Sequence, residues 1–171
     1  VTGPVLNLVA GTPPRWVPGR KLLLATVVPD GRGDPPPAPR APEGPVIQQN
    51  LGREAPARTY QDLLENTHDE ELFEHYLSSE LVTVALDGSL SPVAGPSLVW
   101  DFSPSPDGDY VLLHTLHRPF SYLVTAWRFP ERIAVIDLDG EPVREIADHP
   151  IRDTIPIARG SVHTGPRSVS W

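Results

Sequence analysis

Cysteine is missing from all 171 residues, which excludes disulfides and thiolate metal sites. Methionine is missing as well, so Val1 is not expected to be an initiator position, and the chain is expected to be a processed or trimmed piece of something longer. Basic charge is scarce: 14 Lys and Arg stand against 22 Asp and Glu, a formal net charge of −8. Nucleic acid is therefore not expected as a general partner, because such binding needs a basic surface to replace counterions. No apolar run approaches the roughly 20 residues of a membrane helix, so no membrane partner is expected. Val1 to Ala10 is apolar but lacks the basic stretch that opens a signal peptide. Gly31-Arg32-Gly33 lacks the strand-to-helix setting of a phosphate loop. Proline, by contrast, is abundant at 22 residues. Much of it lies in 35–42, a stretch that can form neither helix nor central strand.

Between the prolines the chain reads as short apolar strands joined by tight turns. Ser105-Pro106-Asp107-Gly108 sits between Ser97–Ser103 and Tyr110–Leu116. Pro106 pre-sets φ for the first central turn position, and Asp107-Gly108 tolerates the tight reversal. Arg15 to Val27 follows the same plan, with a turn read as one residue shorter. A second hairpin type also repeats: Leu81–Gly88 matches Ile133–Gly140 at a constant offset of 52, and both copies end in Leu-Asp-Gly. Gly95-Pro96-Ser97-Leu98-Val99-Trp100 is echoed by Gly165–Trp171, which is expected to begin a further strand.

Strand-and-turn repeats near 50 residues fit four-stranded propeller blades. The expected fold is all-β: a partial β-propeller of about two blades plus one strand, with a small helical insertion. One blade is expected to have its inner hairpin at 97–116 and its outer hairpin at 132–148. The preceding blade draws on 13–28 and 80–93. The whole of 1–171 then forms an incomplete propeller domain, interrupted by insertions at 29–79 and 117–131. Such a piece leaves unpaired edges and half a core, so it is not expected to be stable alone. In the first insertion Thr59 is expected to cap a short helix carrying Tyr60, Leu63 and Leu64. Thr67 with Glu70 is expected to form the capping box of a second helix carrying Leu72, Phe73, Tyr76 and Leu77.

Four stretches, 50–64, 103–108, 117–124 and 164–171, carry a family resemblance. They are Asn-Leu-Gly-Arg-Glu-Ala-Pro-Ala-Arg-Thr-Tyr-Gln-Asp-Leu-Leu, Ser-Pro-Ser-Pro-Asp-Gly, His-Arg-Pro-Phe-Ser-Tyr-Leu-Val and Thr-Gly-Pro-Arg-Ser-Val-Ser-Trp. Together they resemble the N-terminal propeller of prolyl oligopeptidase-type serine peptidases, in the branch of the glutamyl endopeptidases of bacteria and chloroplasts. One departure is visible: Val124-Thr125 stands where the family pattern has Val-Pro. The resemblance implies a following α/β-hydrolase domain with a Gly-x-Ser-x-Gly nucleophile elbow and Ser, Asp and His in that order. No Gly-x-Ser-x-Gly occurs in this sequence, so no catalytic residue is assigned in this chain. The implied role of the propeller is to gate the active site and help bind a peptide substrate. The implied partners are the remaining blades and the hydrolase domain, with no cofactor. A non-enzymatic, protein-binding propeller is the rival from another class.

If the substrate side chain is Glu, a guanidinium suits it best, because its fork bonds both carboxylate oxygens. Arg118 lies in an aromatic-rich insertion with Tyr122 and Arg128, and these three are the candidate substrate-binding residues. The alternative for Arg118 is stacking on an aromatic ring to pack the insertion. His68 and His75 are seven apart, whereas helical metal ligands usually stand three or four apart, so no metal site is expected around His68, Asp69 and His75. The acidic run Asp69-Glu70-Glu71 with Glu74 is read as helix-opening charge at the positive end of the dipole. His114, His117 and His149 lack a nearby carboxylate pattern that would single them out, and His114 is expected to pack in a strand.

Overall fold

The computed structural model describes residues 5–39, 62–155 and 160–171. Seven strands follow one another as an antiparallel meander, β1 (Arg15–Trp16), β2 (Leu22–Val27), β3 (Ser79–Ala85), β4 (Leu90–Pro104), β5 (Tyr110–Leu116), β6 (Glu131–Asp137) and β7 (Pro142–His149). Among the described residues one α-helix, α1 (Thr67–Leu77), stands between β2 and β3. The long strand β4 serves two sheets. Its first part pairs with β3, and from Leu98 onward it pairs with β5. The result is two four-stranded units that share β4, an all-antiparallel layout consistent with part of a β-propeller. The hairpins expected at 97–116 and 132–148 are both formed.

The repeat is reproduced bond for bond. In the first Leu-Asp-Gly turn Ala85 N donates to Ser89 O and Gly88 N to Ala85 O; in the second Asp137 N donates to Glu141 O and Gly140 N to Asp137 O. Each residue is the earlier one shifted by the same offset, and both glycines sit at φ +87°. The inner hairpins differ from expectation in one respect. Val17 N bonds Leu22 O and Ser105 N bonds Tyr110 O, so the two turns span the same number of residues. What differs is the place of the left-handed residue. Pro18-Gly19 puts positive φ directly after the proline, as a type II turn does, whereas Pro106-Asp107-Gly108 puts it one residue later.

The main core is an apolar seam between the two units. Val17, Leu24, Leu81 and Val93 from the first meet Val99, Phe102, Val111, Leu113 and Ile136 from the second. Val99 and Phe102 are three apart, which in a regular strand would place them on opposite faces. A bulge at Trp100, where Val99 pairs with Thr115 and Asp101 with His114, turns both into the seam. Each such side chain contributes about 1.5–3 kcal/mol on full burial. Leu112 is buried but lies on the other face of β5; its neighbours Val111 and Leu113 occupy the seam instead.

Several helix and strand expectations are corrected. The second helix forms as placed, but its N-cap is Asn66, whose side chain accepts from Asp69 N at 3.0 Å. The Asp69 carboxylate accepts from Glu65 N at 2.8 Å, the residue before the cap, so the start is closed by a related pair of bonds and not by the expected Thr67–Glu70 box. Asn outranks Thr as a cap, which decides the shift. The expected cap Thr59 and Tyr60 lie outside the described residues, and Leu63 and Leu64 are not helical. The stretch 165–171 forms no strand; Trp171 Nε1 instead donates to Ser103 O at 3.0 Å.

The turns of the second unit press on the backbone of the first. A Cβ added at Gly108 would lie 2.2 Å from Pro18 O, while one added at Gly19 would meet nothing within 4 Å. Both glycines have positive φ. Gly19→Ala is expected to destabilise the protein by about 1–2 kcal/mol, from backbone strain alone. Gly108→Ala is expected to cost about 2–4 kcal/mol, since the turn must also move off the Pro18 carbonyl. Denaturant titration of the two variants checks this; equal losses would mean that the turns do not touch.

Candidate functional site

The chain between β2 and β3 and the chain between β5 and β6 fold against each other. Helix α1 supplies Phe73 and Leu77, and the 117–130 segment supplies Phe120, Val124 and Phe129, around Leu116 at the end of β5. Phe73 stands edge-on to Phe120 at 5.2 Å and to Phe129 at 5.6 Å, the arrangement that aromatic quadrupoles favour. The far end of α1 is anchored by Asn7, whose amide donates to Tyr76 O at 2.9 Å and Ser78 O at 3.0 Å. These bonds satisfy carbonyls that a helix C-terminus leaves open.

Arg118 fastens this assembly from outside. Its Nε and Nη2 grip both oxygens of Glu74 at 2.8 and 2.9 Å, Nη1 donates to Glu70, and the guanidinium lies 4.9 Å from the centre of the Phe120 ring. Two carboxylates thus surround one cation, and they stabilise its charged form. The acidic residues read as helix-opening charge therefore have a specific partner. Tyr122 lies half-buried in the same segment.

Arg128 ends the 3-10 turn Ala126–Arg128 and points to a different place. Its Nη1 donates to Ile155 O at 2.6 Å and Arg152 O at 3.2 Å, and Arg152 N returns a bond to Arg128 O at 2.9 Å. Arg118 and Arg128 therefore have separate sets of partners. Around Arg128 lies a cavity of about 370 Å³ walled also by Trp127, Arg152, Ser161, His163 and Arg167. Arg152 in this wall is 3.8 Å from Glu131, with its Nε buried and unbonded among the described residues. Burial lowers the Arg152 pKa, and the neighbouring Arg128 charge adds to this.

The histidines find carboxylates across strands, contrary to the sequence expectation. His114 Nδ1 lies 2.9 Å from Glu131 and His117 Nε2 lies 2.8 Å from Asp148. Glu131 is held below its ordinary range chiefly by the hydrogen bond to His114. His149 is buried with its ring 4.7 Å from that of His163. Sequence reading missed Arg152, His163 and Arg167. Their one signal was cationic residues gathered in the last 20 positions of an acidic chain. Among the described residues no group of three or more His, Asp and Glu is placed to hold a metal.

Burial chiefly, then the His163 and Arg152 charges, lowers the pKa of His149 below 6.5. The folded state therefore resists a proton that the unfolded chain accepts, and stability falls as pH drops from about 6.5 to the lowered folded value. The Glu131 contribution has the depressed-carboxylate sign and is lost only at lower pH, below its ordinary 4.5. Melting temperature is thus expected to decline as pH falls through and below about 6.5, and His149→Gln is expected to flatten that decline. An unchanged slope in the variant would remove His149 as its source.

No protein-family model matches this chain, and no solved structure matches it. Two curated plant proteins do. The protein named "Probable glutamyl endopeptidase, chloroplastic" from Oryza sativa subsp. japonica is 41% identical over 157 residues, covering 91% of this chain. The protein of the same name from Arabidopsis thaliana is also 41% identical over 157 residues. The chain spans only 17% and 16% of the length of these relatives. Over nearly its whole length, then, the chain is similar to one segment of the glutamyl endopeptidases.

Proposed function

We propose that this chain is a non-catalytic propeller segment of a serine peptidase that hydrolyses peptide bonds after Glu. The observation that carries the reading is the 41% identity to proteins named glutamyl endopeptidase. The two antiparallel units sharing β4 are in keeping with it. In this reading the partners are further blades and an α/β-hydrolase domain that contributes the Ser, Asp and His triad. The segment gates that site and helps bind the peptide.

Charge separates the candidate residues. At Arg118 two acids already surround one cation, so a third carboxylate is repelled unless it exchanges with Glu70 or Glu74. Arg128 faces carbonyls and other cations, a setting that favours an incoming acid. We therefore place Arg128, with Tyr122 in the same segment, toward substrate, and Arg118 as the fastener of the two insertions.

The intact protein is expected to cleave model peptides after Glu in preference to Gln or Leu, and a serine-directed phosphonate is expected to abolish the activity. Absence of phosphonate-sensitive cleavage would replace this reading with a non-enzymatic binding propeller. Arg118→Ala is expected to lower kcat/KM for Glu and Leu substrates alike and to destabilise the fold by about 1 kcal/mol, the scale of a half-exposed ion pair. A loss confined to Glu substrates would return Arg118 to substrate binding.

A further inference from the structure

We infer that the cavity walled by Arg128, Arg152, Arg167 and His163 is a carboxylate-binding site that receives the acidic side chain of a peptide. The inference rests on the peptidase reading for its ligand class, and it names where in this chain that side chain is held.

The first argument is charge. The chain as a whole carries a net −8, yet three guanidinium groups and an imidazole line one cavity with no acid among the lining residues. A carboxylate that pairs with this wall is Glu131. It is shared between Arg152 at 3.8 Å and His114 at 2.9 Å, so it offsets at most one of the three cations. Gathering like charges is unfavourable, and an oxyanion placed among them relieves that repulsion.

The donors supply a second argument. Arg152 is mostly buried and is held in the wall by donating to Trp127 O. Arg167 is exposed and makes no hydrogen bond or ion pair with any described residue. Arg128, by contrast, uses Nη1 on two carbonyls, which fixes its orientation at the cavity wall. One guanidinium is thus anchored and another is free to close over a ligand. Size and lining give the third argument. About 370 Å³ accommodates an amino-acid side chain with its flanking backbone, and Trp127 offers an apolar face to the aliphatic part of a Glu side chain.

Binding of acetyl-Ala-Ala-Glu-amide to the intact protein, measured by isothermal titration calorimetry, tests this. The Glu peptide is expected to bind at least about tenfold more tightly than acetyl-Ala-Ala-Gln-amide, because only the carboxylate pairs with the guanidinium groups. Arg167→Gln is expected to remove about tenfold of the Glu affinity while leaving the melting temperature unchanged, since Arg167 has no described partner to lose. Arg167→Lys is expected to retain part of it as a point charge. Equal binding of the two peptides, or unchanged Glu affinity in Arg167→Gln, would overturn the site. Inorganic phosphate binding as tightly as the Glu peptide would overturn the peptide assignment. These outcomes are independent of turnover: an enzyme that cleaves after Glu yet binds the two peptides equally loses this site and keeps its activity, while a protein without activity that still discriminates between them keeps the site and loses the peptidase reading.

Discussion

Strand β4 belongs to two sheets at once, and the apolar seam beside it depends on that sharing. If its 15 residues were a regular strand, Val99 and Phe102 would face opposite sides. The bulge at Trp100 brings both into the seam, where they meet Val17, Leu24 and Leu81 of the first unit. Leu98 and Trp100 are then free to face the second apolar cluster, beneath helix α1. One irregularity therefore feeds two cores. The glycine turns complete the fit, because Gly108 and Gly140 let the second unit approach carbonyls of the first more closely than any side chain permits.

The two segments that interrupt the meander gain their structure from each other. Helix α1 is short and only weakly amphipathic, and a helix of that length is marginal alone. The edge-on contacts of Phe73 with Phe120 and Phe129, and the grip of Arg118 on Glu70 and Glu74, join it to the 117–130 segment. The exposed face of that joint is polar and locally acidic. A few residues further along the same segment, Arg128 stands in the wall of an open, basic cavity. The segment thus carries fastening chemistry at one end and receptive chemistry at the other. The difference lies not in residue type, since both are Arg, but in whether carboxylates or carbonyls surround the guanidinium.

Electrostatics follow the same division. Glu131 is tied to His114 on the neighbouring strand β5, and Asp148 to His117 in the segment after β5, which holds both carboxyl groups below their ordinary range. Acid is therefore consumed along β6 and β7, and the cations beyond the strand ends are left in excess. His149 reports that excess, since the charges of His163 and Arg152 add to burial in opposing its protonation.

Local order was legible in the sequence because turns and strand periodicity are local. Ser105-Pro106-Asp107-Gly108 and the paired Leu-Asp-Gly turns marked their hairpins correctly, as their hydrogen bonds close within a few residues. The body of helix α1 was legible for the same reason, although competition between adjacent cap residues moved its start to Asn66. Arg118, Tyr122 and Arg128 could be singled out as chemically capable, but not told apart. Which guanidinium meets Glu74 and which meets Arg152 depends on contacts across 44 and 24 positions, and no spacing rule spans such distances. The carboxylate partners of His114 and His117 were invisible for that reason too. Nor could alternation along β5 tell that Val111 and Leu113, rather than Leu112, face the seam, since all three are apolar and buried. The sequence by itself determined where the hairpins turn and, apart from 165–171, which segments are strands. The tertiary structure decided which faces and which charges meet, because those choices are made by groups that only the folded chain brings within a few ångströms of one another.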